Sequence, residues 1–217
     1  MTLSDPVQPD HNKASGSDNA PGQSDHTQSA LLSEPPRKSP WSLKAKLIRT
    51  LWGVSELVFW KFSPAPMHSW RRAMLRFFGA KVGQSVRIHP SVKVVIPWNI
   101  QIGNNVIINE RAILYALGQI TIGESTEIGP LTHLCAGTHD YTDPKFTLLR
   151  KPITIGDHCI LGASSFVAPD VTLARNTILH PRAAIYADTQ PGAHYRGNPA
   201  KQVHITPDES SAEHTTQ

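Results

Sequence analysis

The length, composition and charge of the chain exclude several classes of protein. It has 217 residues, 39% of them hydrophobic, and 21 Lys and Arg against 17 Asp and Glu give a net charge of +4. A chain of this size can bury one sizeable core. Its two cysteines, Cys135 and Cys159, and the absence of a signal-peptide pattern predict reduced, buried thiols and a cytoplasmic protein rather than a disulfide framework.

The two ends of the chain are predicted to be disordered. Residues 1–40 are rich in Ser, Asp, Asn, Gln, Pro and His, with almost no aliphatic residue before Leu31. Such a segment cannot bury enough apolar surface to offset its chain entropy. Residues 206–217 have the same character, and neither tail is expected to carry chemistry.

Residues 41–79 form a basic, tryptophan-rich segment that we call the collar. Its apolar residues recur at helical spacing from Leu43 to Phe59, where prolines follow, and a second helix is predicted from about His68 to Phe78 with Gly79 as its cap. Between residues 37 and 76 there are nine Lys or Arg and one acid. The collar is therefore strongly basic, and the rest of the chain is mildly acidic.

Two interpretations of the collar are open. It could make peripheral contact with an anionic membrane through residues 41–76, with Trp41, Trp52 and Trp60 at headgroup level. Alternatively, its helices pack on the repeat domain or on a neighbouring subunit. Insertion across a membrane is not expected, because Arg49 and Glu56 interrupt any apolar run of about 20 residues. The charge comes with no nucleic-acid-binding motif, so we predict no nucleic-acid partner.

A hydrophobic residue recurs every six positions in the second half of the chain, and a small or β-branched residue follows each one four positions later. The hydrophobic positions are Ile155, Leu161, Val167, Leu173, Leu179 and Ile185, and the small ones are Cys159, Ser165, Val171, Thr177, Ala183 and Thr189. A period of six fits neither an amphipathic helix nor an amphipathic strand, but it is typical of a parallel β-helix. We therefore predict an all-β fold with aliphatic residues inside the coil and small residues at its corners.

Four short motifs accompany the repeat: Gly-Ala-Lys-Val-Gly at 79–83, Pro-Trp-Asn at 97–99, Thr-His-Asp-Tyr-Thr-Asp-Pro at 138–144 and Gly-Asn-Pro-Ala-Lys at 197–201. Together they resemble the hexapeptide-repeat O-acyltransferases, in particular the colanic acid biosynthesis acetyltransferases, over roughly residues 41–205. The resemblance implies a left-handed parallel β-helix with three sides, a homotrimer, and acetyl-CoA as co-substrate. The acceptor it implies is a sugar or glycolipid hydroxyl in exopolysaccharide or lipopolysaccharide biosynthesis.

The interruptions of the repeat agree with a three-sided coil. The spacing shifts by two residues before Ile102 and again before Ile122, each time after three units, so both shifts fall at one corner. The longer gap from Leu134 to Ile155 falls at the same corner and predicts an external loop at 140–154. Fifteen units make about five coils within a domain at 80–205.

His139, at the point where the chain leaves the coil for this loop, is the general base that the resemblance implies. A sugar hydroxyl is a poor nucleophile until a base takes its proton, and a neutral imidazole, with a reference pKa near 6.5, can do so. His133 lies one unit earlier at the same phase and could line the same cleft, although a structural role is the simpler interpretation.

The acceptor is expected to meet residues beside this histidine. Asp140, Tyr141 and Asp143 follow it directly, and one of the carboxylates could orient the imidazole or bind acceptor hydroxyls. Trp98 occupies the same corner two coils earlier, where it could stack on the acceptor or simply fill the corner.

The residues expected to bind acetyl-CoA are those that the resemblance alone implies. Gly162 and Ala163 match the residues along which the pantetheine arm would run, and Pro181 lies one coil later but has no amide hydrogen. This proline departs from the family pattern. The terminal motif is kept in Asn198, Pro199 and Lys201, and Arg182 or Arg196 could supply a further cation for the phosphates.

Two other functions suit the same architecture. The γ-class carbonic anhydrases bind zinc with three histidines from adjacent subunits, but no histidine lies about 36 residues before His133 or His139 to complete that spacing. A catalytically idle trimeric scaffold would explain the unusual last coil. No metal site is predicted.

Overall fold

The structure, a computed structural model, describes residues 42–204. Both tails predicted to be disordered, residues 1–40 and 206–217, lie outside this range. Two helices and a π-helical turn precede a long series of short strands, most of them two or three residues long. The predicted class, an all-β parallel β-helix with a short N-terminal helical segment, is confirmed.

The helical elements are α1 (Leu43–Ser55), the π-helical turn Glu56–Trp60, α2 (His68–Phe77) and a 3-10 turn at Pro97–Asn99. The strands are β1 (Lys81–Val82), β2 (Arg87–Ile88), β3 (Lys93–Val94), β4 (Ile100–Ile102), β5 (Ile107–Ile108), β6 (Ile113–Tyr115), β7 (Ile120–Ile122), β8 (Glu127–Ile128), β9 (His133–Cys135), β10 (Thr138–His139), β11 (Leu148–Leu149), β12 (Ile153–Ile155), β13 (Ile160–Leu161), β14 (Phe166–Val167), β15 (Thr172–Leu173), β16 (Ile178–Leu179), β17 (Ala184–Ile185), β18 (His194–Gly197) and β19 (Ala200–Val203).

The strands stack in three parallel sheets. Sheet 1 has the order β1-β4-β7-β12-β15, sheet 2 has β2-β5-β8-β13-β16-β18 with β19 antiparallel at its end, and sheet 3 has β3-β6-β9-β14-β17. These are five complete coils. A sixth begins where the amide of Thr189 donates to the carbonyl of Thr172 (3.1 Å) and where β18 pairs with β16. The predicted count of about five coils therefore falls short by a partial coil.

The repeat positions lie where the spacing predicts. All six aliphatic positions between Ile155 and Ile185 are buried, and so are the six small or β-branched positions that follow them. The two-residue shifts are absorbed at one corner, because Ile100, Ile120 and Ile153 stack in register in sheet 1. Buried hydroxyls at the small positions pair with each other, as Thr177 and Thr189 do at 2.8 Å between their oxygens. The interior is therefore a column of aliphatic side chains with its few polar groups satisfied.

The collar helices form as predicted, with small differences at their ends. The second helix ends at Phe77 rather than Phe78. Gly79 has a φ of +91°, its amide donates to the carbonyl of Arg76 (3.0 Å), and the amide of Ala80 reaches back to Leu75 (2.9 Å). This left-handed residue closes the helix as a glycine C-cap does, because a side chain would be strained there.

The collar covers the open edge of the first coil. Within residues 42–204 no coil precedes it, so several backbone carbonyls in and beside β1–β3 have no strand partner there, and side chains of the collar donate to them instead. The pairs are Trp52 to Val94 (2.7 Å), Trp60 to Val92 (3.1 Å), Arg71 to Ile88 (2.7 Å), Arg72 to Val86 (2.9 Å) and Arg76 to Val82 (2.7 Å) and Gly83 (2.9 Å). The collar thus completes the hydrogen bonding of the coil edge.

This arrangement corrects the prediction that the collar tryptophans lie at headgroup level. Trp52 and Trp60 are only 2% and 0% exposed, and they pack edge to face with ring centroids 5.9 Å apart. Trp41 lies outside the described residues. The interpretation in which the helices pack on the repeat domain accounts for these two tryptophans.

Glu56 is the only acid of the collar, and we expect its ionisation to destabilise the fold. Burial raises the pKa of its carboxyl, although the amide of Val94 and the charges of Lys61 and Lys93 oppose the shift. The folded protein therefore binds this proton more tightly than the unfolded chain. The corresponding stability is present below the unfolded pKa and is lost as the pH rises through the folded pKa.

Glu56→Gln is accordingly expected to raise the melting temperature at pH 7 and to flatten its dependence on pH above 4.5. Thermal unfolding followed by circular dichroism between pH 4 and pH 8 measures both effects. Glu124→Gln, at an exposed acid of the coils, is the matched control. A melting temperature of Glu56→Gln below that of the wild type at pH 7 contradicts the prediction.

Candidate active site

A hairpin projects from the third coil and carries His139. The chain leaves sheet 3 after β9 and returns to sheet 1 at β12, and between them β10 and β11 pair antiparallel, with His139 opposite Leu148. The amide of Asp140 donates to the carbonyl of Thr147 (2.8 Å), which closes the hairpin. We call the edge where the chain passes from sheet 3 to sheet 1 corner 3–1. The predicted external loop therefore contains a strand of its own.

The imidazole of His139 is held in one orientation. Its Nδ1 lies 2.9 Å from the carbonyl oxygen of Phe146, and its ring stacks on the Phe146 ring with centroids 4.3 Å apart and planes 9° apart. A carbonyl oxygen can only accept a hydrogen bond, so a neutral imidazole here carries its proton on Nδ1. Its Nε2 then keeps a lone pair, which is the state that a general base needs.

The two carboxylates beside His139 are engaged within the hairpin loop. Asp140 accepts from the amide (2.9 Å) and the hydroxyl (2.6 Å) of Thr142. Asp143 accepts from the amide of Lys145 (2.9 Å) and from the hydroxyl of Thr147. These hydrogen bonds, above all those from the threonine hydroxyls, hold the pKa of both carboxyls below its usual range.

Their geometry corrects the idea that a carboxylate orients the imidazole. The backbone carbonyl of Phe146 does so, and sequence reasoning missed this residue. The available signal was that Phe146 and Tyr141 are the aromatic residues of the loop, and the Tyr141 ring packs edge-on against Phe146 at 5.4 Å between centroids. Tyr141 is 78% exposed, so the predicted acceptor residues Asp140, Tyr141 and Asp143 share one accessible loop with His139.

His133 lies on the outer face of sheet 3, away from this loop. Its ring packs edge-on between Tyr115 (6.1 Å between centroids) and Phe166 (5.6 Å). Burial lowers the pKa of this imidazole, and its Nε2 has no hydrogen-bond partner among residues 42–204. The packing favours the structural interpretation of His133.

Trp98 occupies corner 3–1 two coils before the hairpin, which is the predicted position. Stacked coils are about 4.8 Å apart, which puts it roughly 10 Å from His139 along the coil axis. Trp98 is half-buried, and a Cβ built on Gly79 would lie 3.1 Å from its Cβ. The side chain of the neighbouring Asn99 donates to the carbonyls of Ala116 (3.0 Å) and Leu117 (3.1 Å) of the next coil. Trp98 therefore packs against the end of the collar at this corner.

The predicted co-substrate residues meet at a different edge, corner 2–3, where the chain passes from sheet 2 to sheet 3. Leu161 pairs with Leu179, and Leu179 pairs with Tyr195, so the residues after these strands stack on one another. They are Gly162 and Ala163 in the fourth coil, Pro181 in the fifth, and the turn of the β18–β19 hairpin with Asn198 and Pro199.

Close packing by itself explains one glycine of this corner. A Cβ on Gly162 would lie 2.6 Å from the nitrogen of Pro181, so any side chain would push the fifth coil away.

Exposed cations lie near corner 2–3. Lys201 pairs with Arg196 across the β18–β19 hairpin, and the backbone amide of Arg182 donates to the carbonyl of Ala163 (2.8 Å).

One copy of the chain does not bring His139 and corner 2–3 together. They lie at opposite ends of sheet 3, and one side of the coil takes six residues, which at about 3.3 Å per residue separates them by roughly 15–20 Å. A thioester at corner 2–3 would be out of reach of His139 in the same chain.

The part of the chain that the structure describes has neither a metal site nor a membrane-spanning helix. Residues 42–204 contain no group of three His, Cys, Asp or Glu side chains placed to hold a metal ion. Cys159 is buried as predicted, but Cys135 is only half-buried; burial raises the pKa of both thiols, which disfavours the nucleophilic thiolate form. None of the described helices has the length and apolar character needed to span a bilayer.

Comparison with known proteins was made by sequence and by structure. No family model matches the chain. Over 150 residues it is 38% identical to the colanic acid biosynthesis acetyltransferase WcaF of Escherichia coli K12, covering 69% of this chain and 82% of the relative. It is 28% identical over 125 residues to nodulation protein L of Rhizobium meliloti, covering 56% and 68%.

Solved structures share the fold. A hexapeptide-repeat acetyltransferase of Vibrio cholerae, complexed with acetyl-CoA, superposes with a TM-score of 0.70 at 23% identity over 77% of this chain and 92% of that one. A galactoside acetyltransferase complexed with coenzyme A also gives 0.70, at 22% identity over 80% and 88%. The two superpositions extend over most of the chain, in agreement with the β-helix that the resemblance implied.

The stacked coil is the fold of the hexapeptide-repeat acetyltransferases. Within that class, the identity to WcaF over most of both sequences shows that the chain belongs to the family of colanic acid biosynthesis acetyltransferases.

Proposed function

We propose that the protein transfers an acetyl group from acetyl-CoA to a hydroxyl of a sugar or glycolipid in exopolysaccharide or lipopolysaccharide biosynthesis, with His139 as general base. The observation that carries the proposal is the bond from Nδ1 of His139 to the Phe146 carbonyl, because it directs the basic Nε2 away from the hairpin backbone. Three of the four similar proteins described above are named as acetyltransferases, and two of these have names or titles that refer to colanic acid and galactosides. Acetyl-CoA is available in the cytoplasm, where we place the reaction.

The proposed chemistry is one acyl transfer. Nε2 accepts the proton of the acceptor hydroxyl while its oxygen attacks the thioester carbonyl carbon. The tetrahedral intermediate then collapses, its carbon–sulfur bond breaks, and the imidazolium returns the proton to the departing thiolate of CoA. The exposed Tyr141 and the half-buried Asp140 and Asp143 border the position where the acceptor would lie.

We propose that acetyl-CoA lies along corner 2–3. Its pantetheine arm would follow Gly162 and Ala163, and cations from Lys201, Arg182 and Arg196 would meet its phosphates. Pro181 has no amide hydrogen to donate, so the fifth coil contributes shape rather than a hydrogen bond at this point. Asn198 and Pro199 form the turn that ends the corner.

The separation of His139 from corner 2–3 supports a homotrimer. Three-fold cyclic packing of three-sided coils places corner 3–1 of one subunit beside corner 2–3 of the next, which closes the assembly and completes three identical sites. The hairpin projects outwards from the coil, which is the geometry required for contact with a neighbouring subunit.

Activity and mass test the proposal together. Purified protein is incubated with acetyl-CoA and a panel of nucleotide sugars and glycosides, and release of the CoA thiol is followed by a thiol reagent. We expect acceptor-dependent release, and light scattering should give three times the chain mass of 23.8 kDa. If calorimetry detects no binding of acetyl-CoA, the idle-scaffold alternative is favoured, and a mass of one chain contradicts the shared site.

A further inference from the structure

The outer face of α1 and of the π-helical turn that continues it is an exposed apolar stripe. Leu43, Leu47, Leu51, Val54 and Val58 follow one another at intervals of four, four, three and four residues, which places them on one face of a helix. Their exposures are 84%, 71%, 54%, 55% and 48%. The opposite face carries Trp52 and Trp60, which pack on the first coil. The helix is thus apolar on both sides, and only one side is covered within residues 42–204.

The exposed surface extends beyond α1. Phe62 and Phe77 are 81% and 83% exposed, and an apolar groove of about 570 Å³ runs between the two collar helices. Its lining is almost entirely apolar and includes Leu51, Phe59, Trp70 and Met74. A contiguous apolar surface of this kind on a folded protein marks an interaction site. It contains none of the residues placed in the proposed active site.

The charges around the stripe select the kind of partner. At 100° per residue, Lys44 and Lys46 fall on its two sides, and both are exposed, as is Lys61 beside Phe62. The only acid between residues 43 and 80 is Glu56, which is half-buried and faces the coil, where its carboxylate accepts from the amide of Val94 (3.5 Å). The outer surface therefore combines apolar side chains with positive charge and presents no acid.

These observations exclude two other occupants on physical grounds. A second copy of the same face would set lysines against lysines with no acid to pair them. Residues 1–40 contain only four leucine or valine side chains, Leu3, Val7, Leu31 and Leu32, which are fewer than the five residues of the stripe that they would have to cover. An anionic bilayer surface supplies both an apolar medium and negative charge, which is the pairing that interfacial amphipathic helices use.

We propose that the collar docks on an anionic phospholipid bilayer, with α1 lying in the plane of the interface and its leucine stripe among the acyl chains. This goes beyond the acyl-transfer chemistry and uses none of its residues. Because the buried face of α1 covers the first coil, its stripe points away from the coil. The His139 hairpin, two coils further on, would then lie roughly 20 Å from the headgroups, counting one helix layer and two coil spacings.

Vesicle binding of the full chain tests the proposal. The probes are vesicles of phosphatidylcholine alone and of phosphatidylcholine with phosphatidylglycerol at 7:3, separated by flotation. We expect binding to the anionic vesicles that weakens at high salt, and at least tenfold weaker binding to the neutral ones. Point variants are preferable to deletion of the collar, because deletion would also uncover the first coil.

Two double variants separate the apolar and the charged contributions. Leu47→Gln with Phe62→Gln, at two side chains more than 70% exposed, should weaken binding at least tenfold without unfolding the chain. Lys44→Gln with Lys46→Gln should weaken it roughly 30-fold, since each lysine near an anionic surface contributes about fivefold. The matched controls, Leu131→Gln with Ile160→Gln and Arg111→Gln with Arg175→Gln, alter exposed residues of the coils and should bind like the wild type.

The outcomes are distinct. Failure of the wild type to bind anionic vesicles overturns the proposal, and so does unchanged binding by the Leu47 and Phe62 variant. A lower oligomeric mass of that variant in light scattering also overturns it, because the face would then be a contact between copies. Transfer to a soluble acceptor should be unaffected in all variants, so a negative result here leaves the proposed acetyl transfer standing.

Discussion

Replacing His139 by alanine is expected to lower kcat by roughly two to four orders of magnitude, the usual contribution of a positioned general base. The change removes the Nε2 that would accept the acceptor proton and leaves the hairpin backbone in place. The KM for acetyl-CoA should barely change, because the proposed co-substrate residues lie at corner 2–3. His139→Asn should fail as well, since an amide cannot take up a proton at neutral pH.

His133→Ala is the matched control for this variant. His133 has the same chemistry and the same phase of the repeat, but its ring is packed between Tyr115 and Phe166 on sheet 3. The variant should keep much of the activity. If it is inactive while His139→Ala is not, the base has been placed on the wrong residue, and if both remain active the histidine mechanism is wrong.

The pH dependence gives a second readout. The rate of the wild type should fall on the acid side, because a protonated imidazole cannot accept the hydroxyl proton. That limb should be absent from the residual activity of His139→Ala. Steady-state kinetics from pH 5 to pH 8, with saturating acetyl-CoA, measure both profiles.

Arg71→Ala is expected to destabilise the fold by roughly 3–5 kcal/mol, because the substitution removes a buried charged donor that makes several hydrogen bonds. Arg71 is fully buried, and its guanidinium donates to the carbonyls of Ile88 (2.7 Å), Pro64 (2.9 Å) and Ala65, and to the hydroxyl of Ser63 (2.7 Å). Without it, the carbonyl of Ile88 and the hydroxyl of Ser63, both in buried residues, lose a charged donor, at about 1–3 kcal/mol each. The melting temperature should fall by roughly 10 °C.

Arg72→Ala provides the comparison on the same helix. Arg72 is half-buried and donates to one carbonyl of the coil edge, that of Val86, which water can reach after the substitution. We expect a loss of about 1 kcal/mol. Thermal and urea unfolding of both variants measure the difference. Equal losses would show that burial of the guanidinium network around Arg71 does not stabilise the junction of collar and coil.

The sequence by itself determined the coil. A period of six with aliphatic residues at one position and small residues at another, as at Leu161 and Ser165, suits no other regular structure, because each unit must fill the same interior and turn the same corner. The pattern is local and repeats many times, so single departures such as Pro181 do not hide it. The number of coils was less certain, since the sixth begins without a full unit.

The sequence also pointed to His139, through the motif at 138–144, but it could not reveal the group that orients the imidazole. That group is the backbone carbonyl of Phe146, and every residue has such a carbonyl. Only the path of the hairpin brings this one within 2.9 Å of Nδ1. The nearby carboxylates looked more suitable in the sequence, yet Thr142 and Thr147 engage them first.

The tertiary structure alone decided how the collar divides its two faces. An indole or a guanidinium beside an apolar helix looks the same in sequence whether its acceptor is a lipid phosphate or a backbone carbonyl. The carbonyls that Trp52, Trp60 and Arg71 meet become available only when the first coil has formed with no coil before it. The covering of that edge buries the tryptophans and leaves the leucines of α1 outside, because a helix can turn only one of its faces to the coil.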